Sequence, residues 1–218
     1  MSKFIIGDIH GCARTFLELV RKLPTGNLQD IVLVGDLIDR GPRSKDVVEF
    51  VMENNVPCVL GNHEQMLLDW IEGEEYRDGI WEMNGGVDTL KSYGEDNKIP
   101  FTHVRFIKSL PLFLEYPDSV NDKGDHLLVT HSSAGNVWGQ CSPENPIFKK
   151  TVTWDRNSFP PKIDGIYNVF GHTPREVACI KPYWANVDTG AVFKRGLYGK
   201  LTALQFPEMK IYQQENID

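Results

Sequence analysis

Short apolar runs alternate with helical patterns through the first half of the chain. Residues 3–6, 31–34 and 57–60 are apolar runs beside turn-forming sequence, and they are predicted to be buried strands. After each run, apolar residues recur at helical spacing, and Ser44 is expected to cap the second of these helices. Strands that alternate with helices are typical of an α/β fold.

The second half of the chain is richer in strand patterns. Residues 112–116 and 127–130 flank a turn-rich stretch and are expected to pair as an antiparallel hairpin. The proline-rich residues 139–165 are expected to form a long surface loop, and the tail after Pro207 an edge strand with a frayed end. Further strand-like runs lie at 167–170, 184–187 and 201–206.

Between the two halves, residues 72–104 are polar, charged and rich in glycine. The scattered aromatic residues Tyr76, Trp81 and Tyr93 are expected to pack beneath this segment rather than to stack on a ligand. The segment is therefore predicted to form a cap-like region at about 72–104 of a single domain that spans 1–218.

Composition and charge narrow the possible partners. The chain has 23 basic and 30 acidic residues, and its net charge of -7 argues against stable nucleic-acid binding and against an anionic membrane surface. We find no apolar stretch long enough for a transmembrane helix. The 4 cysteines form no C-x-x-C pair, which favours free thiols and a cytoplasmic location.

Chemically competent side chains follow the predicted strands. The segments GDIHG at 7–11, GDLIDRG at 35–41 and GNHE at 61–64 stand where strands pass into helices. His131 and His172 follow two later strands. Ligands of open α/β sheets bind at the carboxyl ends of the strands, so these groups are expected to converge there.

Oxygen and imidazole donors without thiolates suit Mn, Fe, Zn or Mg. Two ions that share one carboxylate, about 3.5 to 4 Å apart, would use all of these groups and are typical of hydrolytic sites. Without cations, buried carboxylates and imidazoles would face one another unpaired. The remaining His103 and His126 are expected to be surface or hairpin residues.

At these residues the chain resembles the calcineurin-like metallophosphoesterases, and within them the phosphoprotein phosphatase branch. It is most similar to the short bacterial and bacteriophage serine/threonine protein phosphatases, which share the segments WEMNGG at 81–86, WDR at 154–156, GHTP at 171–174 and DTGAVF at 188–193. The resemblance implies an α/β fold in which a two-sheet β-sandwich is flanked by helices, in four αββα layers.

The resemblance also implies a role for individual residues. Two divalent ions, with Mn expected first, would be held by Asp8, His10 and Asp36 and by Asp36, Asn62, His131 and His172, with Asp36 as the bridge. Arg40, Arg156 and Asn62 would bind the phosphate, and His63, oriented by Asp39, would be the general acid.

The expected function is metal-dependent hydrolysis of phosphomonoesters, with phosphoserine and phosphothreonine in proteins as the leading substrates. One alternative is a symmetrical bis(5'-nucleosyl)-tetraphosphatase or another nucleotide phosphohydrolase; the former tend to be longer and commonly lack the pair found here as Asp39 and Arg40. Another is a non-catalytic, metal-stabilised binding protein. The expected partner is a phosphoprotein or a small phosphoester, and the oligomeric state stays open.

Overall fold

The computed structural model describes residues 2–73, 79–194 and 196–218. The strands are β1 (Lys3–Ile6), β2 (Ile31–Leu33), β3 (Phe113–Val120), β4 (His126–Thr130), β5 (Ile166–Phe170), β6 (Cys179–Ile180), β7 (Trp184–Asn186), β8 (Lys200–Phe206) and β9 (Lys210–Glu215). The α-helices are α1 (Ala13–Lys22), α2 (Ser44–Glu53), α3 (Asn62–Ile71), α4 (Val87–Ser92), α5 (Phe101–Lys108) and α6 (Pro146–Trp154).

The strands build two mixed sheets. The first has the order β2-β1-β8-β9, in which β1 is parallel to β2 and antiparallel to β8. The second has the order β3-β4-β5-β7-β6, with β4, β5 and β7 parallel to one another. The predicted hairpin of β3 and β4 and the predicted edge position of β9 are both confirmed.

Alternating side chains divide the core into three apolar layers. Along β1, Ile5 faces the second sheet, whereas Phe4 and Ile6 face the helices of the first sheet. A third cluster packs Phe148 and Val152 of α6 on the outer face of the second sheet. Helices therefore cover both outer faces of a two-sheet sandwich, as the resemblance implied.

Two local expectations in the first half are wrong. Residues 57–60 form no regular strand, although Cys58 makes an isolated parallel bridge to Leu33 beside β2. Ser44 is the first residue of α2 and does not cap it. Its hydroxyl instead accepts a hydrogen bond from the backbone N–H of Asp39, at 3.1 Å.

Two expectations in the second half also need correction. The predicted loop at 139–165 contains helix α6, which begins because the Asn145 side chain caps it and Pro146 occupies its first turn. The end of the chain is not frayed, because the Asp218 carboxylate accepts hydrogen bonds from the backbone N–H groups of Arg14 (3.1 Å) and Thr15 (2.9 Å) at the start of α1.

The described part of the predicted cap packs inward. Residues 82–86 form a π-helical turn that leads into α4, and Trp81 is buried. Tyr93 packs against His103 at 5.6 Å between ring centroids. The expectation that His103 is a surface or hairpin residue is wrong, because the side chain is buried. His126 does lie in the hairpin. Tyr76 lies outside the described residues.

The longest α-helices that the structure describes have 10 residues. None of the described helices is therefore long and apolar enough to cross a bilayer.

Candidate metal centre and active site

The turns after five chain segments meet at one edge of the sandwich. Asp8 and His10 follow β1, Asp36 follows β2, Asn62 and His63 begin α3, His131 follows β4 and His172 follows β5. All of these side chains are buried, with at most 5% exposure. The structure thus brings together the groups that the sequence predicted to converge.

The backbone at this edge is strained. His10, Asp36, Asp39, Arg40 and His172 all have positive φ, between 46° and 74°. Non-glycine residues in this region cost free energy and persist where the surrounding structure holds them, typically at functional sites. Five such residues at one edge indicate that the surrounding structure holds these turns in a specific, strained conformation.

Two glycines make room for carboxylates. A Cβ atom on Gly61 would lie 2.2 Å from Oδ1 of Asp36, and one on Gly171 would lie 2.1 Å from Oδ1 of Asp8. Any larger residue would displace these oxygens, so the glycines of the two motifs are required by the position of the carboxylates.

Glu64 fixes the turn that carries Asp36. Its buried carboxylate accepts hydrogen bonds from the backbone N–H groups of Asp36 (2.8 Å), Leu37 (2.8 Å) and Gly61 (3.1 Å). Burial raises the pKa of Glu64 to about 8. This role of Glu64 was not predicted, although a Glu at the third position of a helix is a known sign of a capping box.

The second predicted metal position has the geometry of a ligand cluster. Oδ1 of Asn62 lies 2.8 Å from both Nε2 of His131 and Nδ1 of His172, and these nitrogens lie 3.2 Å apart. Oδ1 of Asp36 lies 3.4 Å from the same nitrogen of His131. Four donor atoms therefore face one small volume.

The protonation of these imidazoles favours a cation between them. Nδ1 of His131 donates to the carbonyl oxygen of Val34 at 2.7 Å, so its Nε2 carries the lone pair in the neutral form. Burial lowers the pKa of His131 and lowers that of His172 to about 3. Two imidazoles that burial keeps neutral, with ring nitrogens beside an amide oxygen and a carboxylate, fit a divalent ion.

The first predicted metal position shares Asp36. Oδ2 of Asp36 lies 3.6 Å from Nε2 of His10 and 3.9 Å from Nε2 of His63. Candidate ligand atoms of His10, Asp36 and His63 lie within 4.8 Å of one another, as do those of Asp36, His131 and His172. Asp36 is therefore placed between two donor clusters.

Asp8 lies beside this cluster, with an unforeseen neighbour. Its carboxylate accepts a hydrogen bond from the backbone N–H of His172, at 3.1 Å. Burial, and next the charge of Asp188, raise the pKa of Asp8, and burial raises that of Asp188 to about 6. Asp8, Asp36 and Asp188 are thus three buried carboxyl groups close to one another. Burying carboxylates together costs free energy unless cations compensate their charge.

His63 and Asp39 form a hydrogen-bonded pair. Nδ1 of His63 lies 2.6 Å from Oδ2 of Asp39. The same carboxylate accepts hydrogen bonds from Nε1 of Trp81 (3.0 and 3.1 Å) and from the hydroxyl of Thr89 (2.7 Å). Trp81 was expected to pack only, and Thr89 was not expected to have a role, although Trp81 belongs to the WEMNGG segment at 81–86 that carries part of the resemblance.

The two predicted arginines lie on different sides of the centre. Arg40 contacts Nε2 of His10 through a guanidinium nitrogen at 2.6 Å, and His10 is a residue that the resemblance assigns to the first metal ion. Arg156 lies just after α6. Burial is the largest cause that lowers the pKa of His172, and the neighbouring His131 and the positive charge of Arg156 lower it further. Both guanidinium groups are thus near the donor clusters.

Comparisons with known proteins agree with this geometry. The model of the calcineurin-like phosphoesterase family matches residues 1–176. The asymmetrical bis(5'-nucleosyl)-tetraphosphatase PrpE of Halalkalibacterium halodurans is 28% identical over 94% of this chain and 90% of its own. Serine/threonine-protein phosphatase 1 of Salmonella typhimurium is 30% identical, with 87% of each chain covered.

Solved structures support the fold. A crystal structure of a candidate diadenosine tetraphosphatase covers 100% of this chain with a TM-score of 0.74 and 23% identity. A serine/threonine phosphatase from Saccharomyces cerevisiae covers 100% of it with a TM-score of 0.59 and 17% identity. With the family match and the clustered donor atoms, these findings show that the chain belongs to the calcineurin-like phosphoesterase family of metal-dependent phosphoesterases.

Proposed function

We propose that this chain hydrolyses phosphoric esters at a two-metal centre. The observation that carries the proposal is the convergence of Asn62, His131 and His172 on one volume, with imidazole nitrogens only 3.2 Å apart and Asp36 shared with a second cluster. Divalent ions at such ligands supply Lewis acidity and activate water for attack on phosphorus.

We propose the ligand sets that the resemblance implied. Asp8, His10 and Asp36 would hold one ion, and Asp36, Asn62, His131 and His172 the other. The hard oxygen and imidazole donors favour Mn, with Fe, Zn or Mg as alternatives. Buried carboxylates at the first position and facing lone pairs at the second support this assignment.

The remaining polar residues serve the substrate. We assign His63 as the proton donor to the leaving oxygen, because Asp39 holds its Nδ1 at 2.6 Å and turns its Nε2 toward Asp36. Arg40 and Arg156 are assigned to the phosphate oxygens, for which the planar guanidinium group is suited, and Asn62 to the substrate side of the second cluster.

Two substrate classes are candidates. Phosphoserine and phosphothreonine have an alkoxide leaving group that needs the proton of His63, and a protein phosphatase is among the relatives. Nucleotide substrates are supported by several relatives that are named asymmetrical bis(5'-nucleosyl)-tetraphosphatases, one of them covering 94% of this chain.

The proposal is tested by removing and restoring metal. Thoroughly chelated protein is expected to lose turnover of p-nitrophenyl phosphate, phosphopeptides and dinucleoside tetraphosphates, and added Mn is expected to restore it. Product analysis on the same panel then ranks the substrate classes. Full turnover by the chelated protein would contradict the two-metal centre.

A further inference from the structure

A groove of about 620 Å³ lies beside the metal centre, between α3, residues 80–84 and α6. Its lining is mostly apolar but carries amide and ammonium groups and the carboxylate of Asp69. The lining residues that matter here are Gln65, Ile80, Asn84, Lys149, Lys150 and Trp154. None of them belongs to the predicted metal or phosphate-binding set.

The groove adjoins the centre on three sides. The ring of Trp154 lies 6.3 Å from that of His172, measured between centroids. Gln65 stands one helical turn after Asn62 on α3. On the third side, Asn84 precedes Gly85, whose carbonyl accepts a hydrogen bond from the backbone N–H of Arg40 at 3.2 Å. A group attached to a phosphate at the centre can therefore extend into the groove.

The amide groups of the groove present acceptor oxygens. The Nδ2 group of Asn84 donates to the carbonyl of Ile80 at 2.8 Å, which leaves its oxygen for another partner. The Nε2 group of Gln65 donates to Asp69, and its oxygen is buried without a hydrogen-bond partner among the described residues. The exocyclic amino group of a nucleobase is a donor that suits the exposed oxygen of Asn84, while Ile80 and Trp154 offer an apolar wall for its ring.

The charge at the groove suits a phosphate chain. Lys149 and Lys150 are exposed neighbours on α6, and neither forms an ion pair within the part of the chain that the structure describes. With the carboxylate of Asp69 included, the lining still carries one net positive charge, in contrast to the net charge of -7 of the whole chain. Two adjacent ammonium groups attract a polyphosphate, and one phosphoserine side chain would leave most of the apolar volume unfilled.

Resting on the proposed phosphohydrolase activity, we infer that this groove binds the leaving nucleotide of a nucleoside polyphosphate. The base packs against Ile80 and Trp154, and the phosphate chain lies beside Lys149 and Lys150. Water adds to the phosphorus held at the centre, the P–O bond of the anhydride bridge breaks, and the leaving nucleotide keeps the electron pair of that bond. The proton of the water is released to solvent.

The test is a charge-removing double variant in Mn-loaded protein. Lys149→Gln combined with Lys150→Gln is expected to lower kcat/KM for diadenosine tetraphosphate about 10-fold or more, and to change that for p-nitrophenyl phosphate less than about 2-fold. Lys210→Gln, an exposed lysine on the edge strand β9, is the matched control and is expected to change neither. Ile80→Glu should lower the tetraphosphate rate in the same selective way.

Calorimetric titration with ATP separates the groove from catalysis. The double variant is expected to bind ATP about 10-fold more weakly than the wild type, whether or not the wild type turns over any substrate. If wild-type protein hydrolyses no phosphoester but binds ATP in this lysine-dependent way, the proposed function fails and the groove assignment stands. Unchanged tetraphosphate kinetics and ATP affinity would overturn the groove, as would a selective loss on phosphopeptides.

Discussion

The turns at the strand ends and the segments between the strands differ in how the chain fixes them. Asp8, Asp36, His131 and His172 follow strands whose parallel pairing, β1 with β2 and β4 with β5, brings their ends to one edge. The segments around Trp81 and Arg156 belong to no strand, and they reach the same place through side-chain contacts and backbone hydrogen bonds such as that from Arg40 to Gly85. In the proposed function, the edge holds the metal ions, and the segments add Arg156 and the hydrogen-bond donors to Asp39 that act on the substrate side.

The two regions meet at the carboxylate of Asp39. This residue belongs to the turn after β2, but its side chain is held by Trp81 and Thr89 from the segment that overhangs the edge. Changes at the strand ends are therefore expected to abolish the centre, whereas changes in the segments are expected to alter how it acts on particular substrates.

The largest effect is expected at the residue that the two donor clusters share. Asp36→Asn removes a charge that faces His10 and His131 at once, so both metal positions should weaken and activity should fall by about 1,000-fold or more. Metal analysis of the purified variant measures the loss. Retention of two ions per chain by Asp36→Asn would show that the clusters do not depend on their common carboxylate.

The strand ends could be predicted from the sequence better than the segments between the strands. The convergence of the candidate metal residues could be predicted because each stands directly after an apolar run, and the ends of parallel strands meet at one edge. Helix α6 was missed because the four prolines of 139–165 outweighed the Asn145 cap and the buried pair Phe148 and Val152. The hydrogen bond from Trp81 to Asp39 joins residues 42 apart in the sequence, and no local pattern reveals such a contact.

A smaller effect, selective for substrate, is expected at Arg156. A phosphomonoester dianion carries more charge and more free oxygens than a diester, so it gains more from a guanidinium group. Arg156→Ala should lower kcat/KM for a monoester by roughly 10 to 1,000-fold, and that for a diester clearly less. Steady-state kinetics on both ester types checks this.

Arg175→Ala is the control for losing an arginine near this edge of the sheet. Arg175 donates to the hydroxyl of Ser158 and not to the donor clusters, so its loss should leave turnover unchanged. Unchanged monoester turnover in Arg156→Ala would remove this residue from the phosphate site. It would also weaken the view that the intervening segments handle the substrate.

At the junction of the two regions, His63→Asn is expected to keep both metal ions. A serine alkoxide needs a proton from the acid, whereas an acidic phenol needs little, so the loss should be about 10 to 100-fold larger for a phosphoserine peptide than for an aryl phosphate. Equal losses on the two substrates would count against His63 as the acid, and a loss of metal would make it a ligand instead.

The smallest effect is expected from Trp81→Phe, which tests the overhanging segment alone. Phenylalanine keeps an aromatic ring in this buried position but cannot donate to Asp39, while Thr89 still does. We expect turnover of phosphoserine to fall by about 3 to 10-fold, with a smaller loss on an aryl phosphate and unchanged metal content. Trp70→Phe is the matched control, because its indole N–H bonds to Glu82 at an exposed position and its ring packs against that of Trp81 at a tilt of 48°, with 4.8 Å between centroids. If both variants lost the same activity on both substrates, Trp81 would act through packing only. The hydrogen bond by which the overhanging segment holds Asp39 would then have no effect on turnover.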